Sequence, residues 1–173
     1  KALKKHFNVV RLHGSRDYFI VDFKGLSFEL VPVLKIKNAR LAQNITDISP
    51  MHVNWVKKNI DNKLCDDIRL AKYFLKANEC YGAETYVGGF SGYLVELLVI
   101  NYKGFSNFIK SASKWRDGTL IHFGKNWFSN KQKFPLTVID PVQPNRNAAA
   151  ALREDKFNLF IDLCKKFDAK PSV

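Results

Sequence analysis

Glu29 is the residue near the N-terminus whose type and setting most suggest chemistry, because it lies inside an apolar stretch. Burying a carboxylate among apolar side chains is costly unless the carboxylate is paired. Alternation along a strand places Glu29 on the same face as Ser27 and Val31. Two interpretations stay open: an outward-facing charge on an edge strand, which Pro32 favours, or a metal ligand on a sheet.

A second candidate is the helix start predicted at Ser49. Serine is a favoured N-cap residue, and Pro50 suits the first helical position. His52 would then lie in the first turn, where the free N–H groups and the positive end of the helix dipole favour an anion. The alternative is an ordinary capped helix in which His52 has no special role.

Two basic residues have settings that fit contact with an anion. Lys72 belongs to a basic stripe on the helix predicted over residues 66–78, which either faces solvent or faces a triphosphate or an RNA backbone. Arg146 precedes a helix predicted to begin near Asn147. The helix dipole disfavours an arginine there by up to about 1 kcal/mol unless an anion lies between them. The alternative for Arg146 is an ion pair with Asp140.

The segment from Tyr81 to Ser91 is rich in glycine, which favours tight turns and close backbone approach. No lysine follows these glycines in the pattern of a phosphate-binding P-loop, so we expect Ser91 to cap a helix. Glu96 lies inside the apolar helix that follows. A carboxylate there needs a partner, and an ion pair with a structural role, with an arginine as the expected partner, is the favoured interpretation.

The charge of the chain points to an anionic partner. Its 173 residues include 28 Lys and Arg against 16 Asp and Glu, which gives a net charge of +12. Nucleic acid, nucleotide phosphates or a membrane surface would fit this surplus, and simple solubility is the alternative. The chain has no apolar run long enough to span a membrane. Its three cysteines form no disulfide or zinc pattern, so we expect a cytoplasmic protein.

The elements that position these candidates are predicted strands in the first part of the chain and mainly helices after it. This order predicts an α+β fold. Strands are predicted at Asn8–Leu12, Tyr18–Phe23, Leu26–Leu34, Leu120–Phe123 and Leu136–Ile139. Helices are predicted over most of Ser49–Trp115 and over Asn147–Ala169. A polar loop, Gly124–Lys133, separates the last two strands. The change from strands to helices places a domain boundary near residue 40, which gives domains at residues 1–40 and 41–173.

Three segments in this order resemble the archaeal-type (class I) CCA-adding enzymes, which are tRNA nucleotidyltransferases: ITDISPMHVNWV, DDIRLAKYFLKANECYGAETYVGGFSGYLVELLVINY and VIDPVQPNRNAAAAL. The strand GLSFELVPVLKI is similar to the last strand of that family's catalytic head. The resemblance implies antiparallel strands from a polymerase-β-like head, followed by a mainly helical central or neck domain with a small β element. It also implies template-independent addition of CMP and AMP, from CTP and ATP, to the 3′ end of tRNA.

The resemblance assigns roles to individual residues. Glu29 falls at the third catalytic carboxylate, a ligand of the divalent metal, expected to be Mg²⁺. The residues implied in nucleotide binding are Ser49, His52, Lys72, Tyr81 and Arg146. The family usually has Asp where this chain has Glu29, and one added methylene would alter the geometry around Mg²⁺.

The family's first two carboxylates form an acid-x-Asp pair on an earlier strand, and no such pair precedes Glu29. We therefore expect a second polypeptide to supply them, and this chain to be inactive alone, either as one subunit of a split enzyme or as a piece of a longer one. Two alternatives stay open. One is a non-catalytic RNA- or nucleotide-binding module on the same scaffold, and the other is a nucleotidyltransferase of the poly(A) type.

Overall fold

The computed structural model describes residues 3–14, 16–124 and 133–171. The chain divides into two compact units, Lys1–Val53 and Asn54–Val173, which are here called the N-terminal and the C-terminal unit. The domain boundary predicted near residue 40 is defined by the resemblance to a catalytic head and a neck domain. That division into functional domains stays a prediction. Most of the predicted polar loop, Gly124–Lys133, lies outside the described residues.

The N-terminal unit contains a three-stranded antiparallel sheet in the order β1-β2-β3, formed by Val9–His13, Asp17–Phe23 and Leu26–Leu30. The turn between β2 and β3 is made by Lys24 and Gly25, both with positive φ, at 50° and 76°. Positive φ at both central residues is typical of a type I′ hairpin turn, whose twist matches that of the strands. The predicted α+β fold with antiparallel strands is confirmed.

Strand pairing sorts the side chains of this sheet onto two faces, because directly opposed residues of antiparallel strands share a face. One face is largely apolar along β2 and β3, and its cross-strand pairs are Phe19–Leu30, Val21–Phe28 and Phe23–Leu26. Glu29 lies opposite Ile20 on the other face. Glu29 is exposed.

The third strand is shorter than predicted, since it ends at Leu30 and not at Leu34. Pro32 has no N–H to donate to a strand ladder. The N–H of Leu34 donates instead to the buried carboxylate of Asp47, at 2.8 Å. The Arg16 guanidinium also pairs with Asp47, at 2.6 Å. These donors, with the Leu34 N–H first, hold the pKa of Asp47 at about 2, so it is ionised at neutral pH.

The predicted capping role of Ser49 is wrong. A 3-10 turn, Ile45–Ile48, precedes the helix α1, Ser49–Asn59, and its N-cap is Asn44. Asn44 and Asp47 form a capping box there. Ser49 itself has helical backbone angles, and its N–H donates to the carbonyl of Thr46. The backbone is therefore already helical where α1 begins, and Ser49 does not act as an N-cap.

The C-terminal unit is mainly helical. Its helices after α1 are α2 (Asn62–Ala77), α3 (Gly92–Tyr102), α4 (Phe105–Ala112) and α5 (Glu154–Ala169). Two short parallel strands, β4 (Thr119–Ile121) and β5 (Leu136–Val138), form its small β element. None of the helices in the described ranges is long and apolar enough to cross a membrane.

The core of this unit is built largely from aromatic rings. Phe160 of α5 is fully buried and lies 4.6 Å from Phe90, 5.5 Å from Phe108 and 6.0 Å from Trp115 between ring centroids. The central helix α3 is apolar on nearly every side, and Leu94, Leu97 and Leu98 are at most 1% exposed. This packing fixes α3 against its neighbours and thereby fixes the first turn of α3.

The last helix begins later than predicted, at Glu154 and not near Asn147. The side-chain oxygen of Asn147 accepts hydrogen bonds from the N–H groups of Val138 and Ala149, both at 2.9 Å. Asparagine side chains that bond nearby backbone in this way compete with helix formation. Residues 148–151 consequently form turns, and Arg146 does not stand at a helix N-terminus.

Candidate functional site

The first group of candidate residues gathers at the start of α3. Lys72 of α2 reaches Glu96 of α3, with Nζ 2.6 Å from Oε1. Both side chains are about one quarter exposed, at 27% and 26%. Glu96 is the only charged residue of α3. The partner of Glu96 is therefore a lysine, and the prediction of an arginine partner is wrong.

Gly92, the first residue of α3, has no side chain, which leaves space beside it for the Tyr81 hydroxyl and the Lys72 ammonium group. A Cβ atom at this position would lie 2.9 Å from the Tyr81 hydroxyl oxygen and 3.8 Å from Nζ of Lys72. A larger residue would displace the tyrosine. A hydroxyl donor and an ammonium group thus lie on the same side of the first turn of α3. The Lys76 ammonium lies over the Tyr81 ring, 5.0 Å from its centroid.

The second group centres on Arg146, in the loop between β5 and α5. Its guanidinium pairs with Asp140, at 2.8 Å, and Asp140 is fully buried. Asp140 also accepts a hydrogen bond from the N–H of Val142, at 2.9 Å. The Arg146 side chain keeps 32% of its surface exposed. The structure therefore shows the ion pair with Asp140, which was the alternative for Arg146. This ion pair holds the guanidinium on one side, and part of the side chain stays exposed.

Tyr93 joins this second group to α3. Its hydroxyl lies 3.1 Å from Oδ1 of Asp140. Burial, and then the negative charge of Asp140, raises the pKa of Tyr93 well above its usual range. The hydroxyl therefore stays protonated and donates to the carboxylate. Through Tyr93 and Asp140, the position of Arg146 depends on the first turn of α3.

A cleft of about 290 Å³ opens beside Arg146. Ala83 and Gly89 line it from the loop before α3, Ser91 and Leu94 from the start of α3, and residues 146–152 from the opposite side. Ser91 caps α3 as predicted, because its hydroxyl accepts a hydrogen bond from the N–H of Leu94. The lining includes four successive alanines, Ala148 to Ala151, whose small side chains leave space in the cleft.

The structure places three of the predicted site residues near the start of α3, within the C-terminal unit. Lys72 and Tyr81 meet at Gly92, and Arg146 lines the cleft that adjoins Ser91, the residue before Gly92. The remaining three predicted residues belong to the N-terminal unit. Of these, Glu29 and Ser49 are exposed and His52 is half-buried.

Glu29 is the residue for which a metal-binding role is predicted. Within residues 3–14, 16–124 and 133–171, no three His, Cys, Asp or Glu side chains lie close enough to hold a metal ion together. Mg²⁺ takes oxygen ligands in near-ideal octahedral geometry and is usually bound through one or two carboxylates together with waters and substrate phosphates. Glu29 is one carboxylate of the kind that such a site uses, and its role as a metal ligand stays a prediction.

The sequence interpretation missed the roles of Tyr93 and Asn147. Tyr93 looks like one more apolar residue of α3, and only the fold shows its hydroxyl beside Asp140. Asn147 was placed inside a helix, although asparagine is a common residue of turns. Its amide also donates to the carbonyl of Leu136, at 3.1 Å, and so supports one wall of the cleft.

The fold defined by these elements is shared with an RNA terminal transferase of known structure. The structure is similar to that of a cytoplasmic RNA terminal U-transferase, with a TM-score of 0.67, 12% sequence identity, and coverage of 98% of this chain and 70% of the other. At that identity the likeness concerns the fold alone. The family described as "tRNA nucleotidyltransferase, second domain" matches residues 66–173. The chain belongs to this family.

Curated relatives support the same membership and the predicted resemblance to archaeal CCA-adding enzymes. The CCA-adding enzyme of Nanoarchaeum equitans is 43% identical over 93% of this chain and 44% of its own length. That of Methanosarcina acetivorans is 37% identical over the whole chain and 38% of its own length. That of Archaeoglobus fulgidus is 39% identical over 87% of the chain and 34% of its own length. The chain thus spans between 34% and 44% of the length of these relatives.

Proposed function

We propose that this chain holds the incoming nucleotide in a CCA-adding reaction, which transfers CMP and AMP from CTP and ATP to the 3′ end of tRNA in the cytoplasm. The observation that carries the proposal is the identity with CCA-adding enzymes, 43% and 37% for two of them, over at least 93% of the chain. Two groups of side chains that suit a nucleotide adjoin the start of α3 in the same chain.

We assign the phosphate chain to Lys72 and Tyr81. An ammonium group carries three N–H donors, of which Glu96 occupies one. The remaining donors and the Tyr81 hydroxyl can bond phosphate oxygens. Charge-assisted hydrogen bonds of this kind are roughly twice as strong as neutral ones. The net charge of +12 favours the approach of a triphosphate.

We assign the base to the cleft beside Arg146. Its alanine wall and the glycine of the opposite loop accept a flat group, and a guanidinium can donate to ring or carbonyl acceptors of a base. Because Asp140 is fully buried and fixes one side of the guanidinium, the remaining donors have a defined direction. Ser49 and His52 at the start of α1 are proposed as further nucleotide contacts.

The chemistry that these residues serve is a displacement at phosphorus. The 3′-hydroxyl oxygen of tRNA loses its proton to solvent and forms a bond to the α-phosphorus, the bond from the α-phosphorus to the bridging oxygen breaks, and pyrophosphate leaves with that oxygen and its electron pair. Lys72 would hold the leaving phosphates and neutralise the charge that develops on them. Divalent metal, expected to be Mg²⁺, supplies charge neutralisation in such reactions. Glu29 is proposed as one ligand, and the others must come from outside the described residues.

The apolar face of the N-terminal sheet supports a second polypeptide or segment as partner. Phe23, Leu26 and Phe28 on that face are 44%, 62% and 44% exposed. Exposed apolar strands next to an unpaired edge are prone to bind another chain. The relatives are more than twice as long as the matched part, which leaves ample sequence for the two missing carboxylates. We propose that this partner covers the face and completes the metal site.

The test is incorporation of labelled CMP and AMP into tRNA that lacks its CCA end. We expect negligible incorporation with this chain alone, and restored addition of C, C and A when a head segment carrying an acid-x-Asp strand is added. Strong activity from the chain alone would refute the need for a partner. Tails of many adenylates would favour the poly(A) type, and binding without incorporation in the complete mixture would favour a non-catalytic module.

A further inference from the structure

The feature that the proposed function leaves unexplained is the carboxylate beside Lys72. The other residues of α3 are uncharged, and Val95 and Leu97 on either side of Glu96 are fully buried. A lysine meant to bind phosphate would attract it more strongly without an anion 2.6 Å away. The ion pair is also one quarter exposed on both sides, so its own contribution to stability is at most about 1 kcal/mol.

We propose that Glu96 is a resident counter-ion, with which an incoming phosphate chain must compete for Lys72. This inference rests on the proposed function, because it takes Lys72 as the phosphate contact. Glu96 does not touch the nucleotide and acts through Lys72, so it is a positioning residue.

The counter-ion has two physical consequences. In the empty site it satisfies the ammonium group and holds a flexible side chain beside Gly92 and Tyr81. In the loaded site it shares the ammonium with the phosphates, which weakens binding of the phosphate chain. Weaker ground-state binding favours release of pyrophosphate after transfer, a step that limits many enzymes.

The test is the binding of ATP and of adenosine to the full chain, measured by calorimetry for wild type and for Glu96→Gln. We expect Glu96→Gln to bind ATP about three- to tenfold more tightly, as loss of one partly exposed ion pair allows. Adenosine, which has no phosphate, should bind both proteins equally. A merely structural carboxylate would lower the melting temperature and weaken both ligands together.

A double-mutant cycle shows whether Glu96 acts through Lys72. In a Lys72→Met background, Glu96→Gln should change ATP binding by less than about twofold. The same gain in that background would overturn the inference, as would unchanged or weaker ATP binding by a folded Glu96→Gln protein. Glu96→Asp, which keeps the charge but withdraws it by one methylene, is the second variant and should give a smaller gain.

The outcomes separate this inference from the proposed function. If wild type binds ATP and Glu96→Gln does not improve it, only the counter-ion inference falls. If neither protein binds ATP although both are folded, the assignment of the nucleotide to this chain falls with it.

Discussion

Replacing Arg146 with alanine is expected to weaken CTP and ATP binding by about tenfold to a hundredfold. The change removes charge-assisted hydrogen bonds, each of which contributes about 1.5–3 kcal/mol. It also removes the partner of Asp140, which is fully buried and keeps the donors of Tyr93 and Val142. Because a buried carboxylate loses its counter-charge, Arg146→Ala should also be less stable, and its folding is checked by circular dichroism before binding is compared. Equilibrium binding of each nucleotide and of its matching nucleoside measures the effect.

Arg116→Ala is the matched control, since Arg116 is an exposed arginine of the same unit whose backbone N–H and carbonyl bond the Thr119 hydroxyl. It removes the same charge and should change binding by less than about twofold, as expected of a surface substitution. Arg146→Lys keeps the charge but loses the planar fork, and it should fall between wild type and alanine. Equal effects of Arg116→Ala and Arg146→Ala would show that only net charge matters.

Replacing Phe160 with alanine is expected to lower the free energy of unfolding of the C-terminal unit by about 3–5 kcal/mol. Phe160 is fully buried, and its ring meets those of Phe90, Phe108 and Trp115 at centroid distances of 4.6, 5.5 and 6.0 Å. The substitution removes that apolar surface from the core and leaves a cavity. Urea unfolding followed by tryptophan fluorescence measures the loss.

Leu159→Ala provides the comparison for Phe160, because Leu159 is the preceding residue of the same helix and is 41% exposed. It should cost less than about 1 kcal/mol, as is usual for partly exposed positions. A loss below that value for Phe160→Ala would contradict the packing described for α5. Phe160→Ala should also weaken nucleotide binding, since Phe160 packs in the core that fixes α3.

The elements with strong periodic signals could be predicted from the sequence. The apolar strands β1 to β3 alternate and are separated by glycine turns, and α2 and α3 have long apolar faces. Their existence follows from burial of apolar surface, which is a property of the pattern. The cap at Ser91 also follows locally, because a serine directly before an apolar run can bond the first turn.

Two of the boundaries that were wrong depend on contacts outside the element itself. β3 ends early because Leu34 bonds Asp47, and Asp47 is also held by Arg16, 31 residues before it in the chain. α5 starts late because Asn147 bonds Val138 across the loop. No local pattern records these partners. Ser49 differs, because its capping role is lost to a local capping box that begins five residues earlier, at Asn44.

The candidate site likewise has features that local sequence predicts and features that depend on contacts seen only in the structure. Arg146 and Lys72 were singled out by type and setting, and the structure adds the carboxylate that restrains each one, Asp140 and Glu96. The proximity of Tyr81 to Lys72 depends on the missing side chain of Gly92, which leaves the gap between them. The role of each predicted residue toward a nucleotide stays a prediction.

The most direct test of the account is the position at which a bound nucleotide labels the chain. Photolysis with 8-azido-ATP, whose reactive group is on the base, followed by peptide mapping, gives that position. The account predicts label in residues 83–94 or 134–152, which contain the walls of the cleft, and loss of that label with excess CTP or in Arg146→Ala. Label confined to other peptides, or label that CTP does not displace, would contradict the assignment of the nucleotide to this cleft.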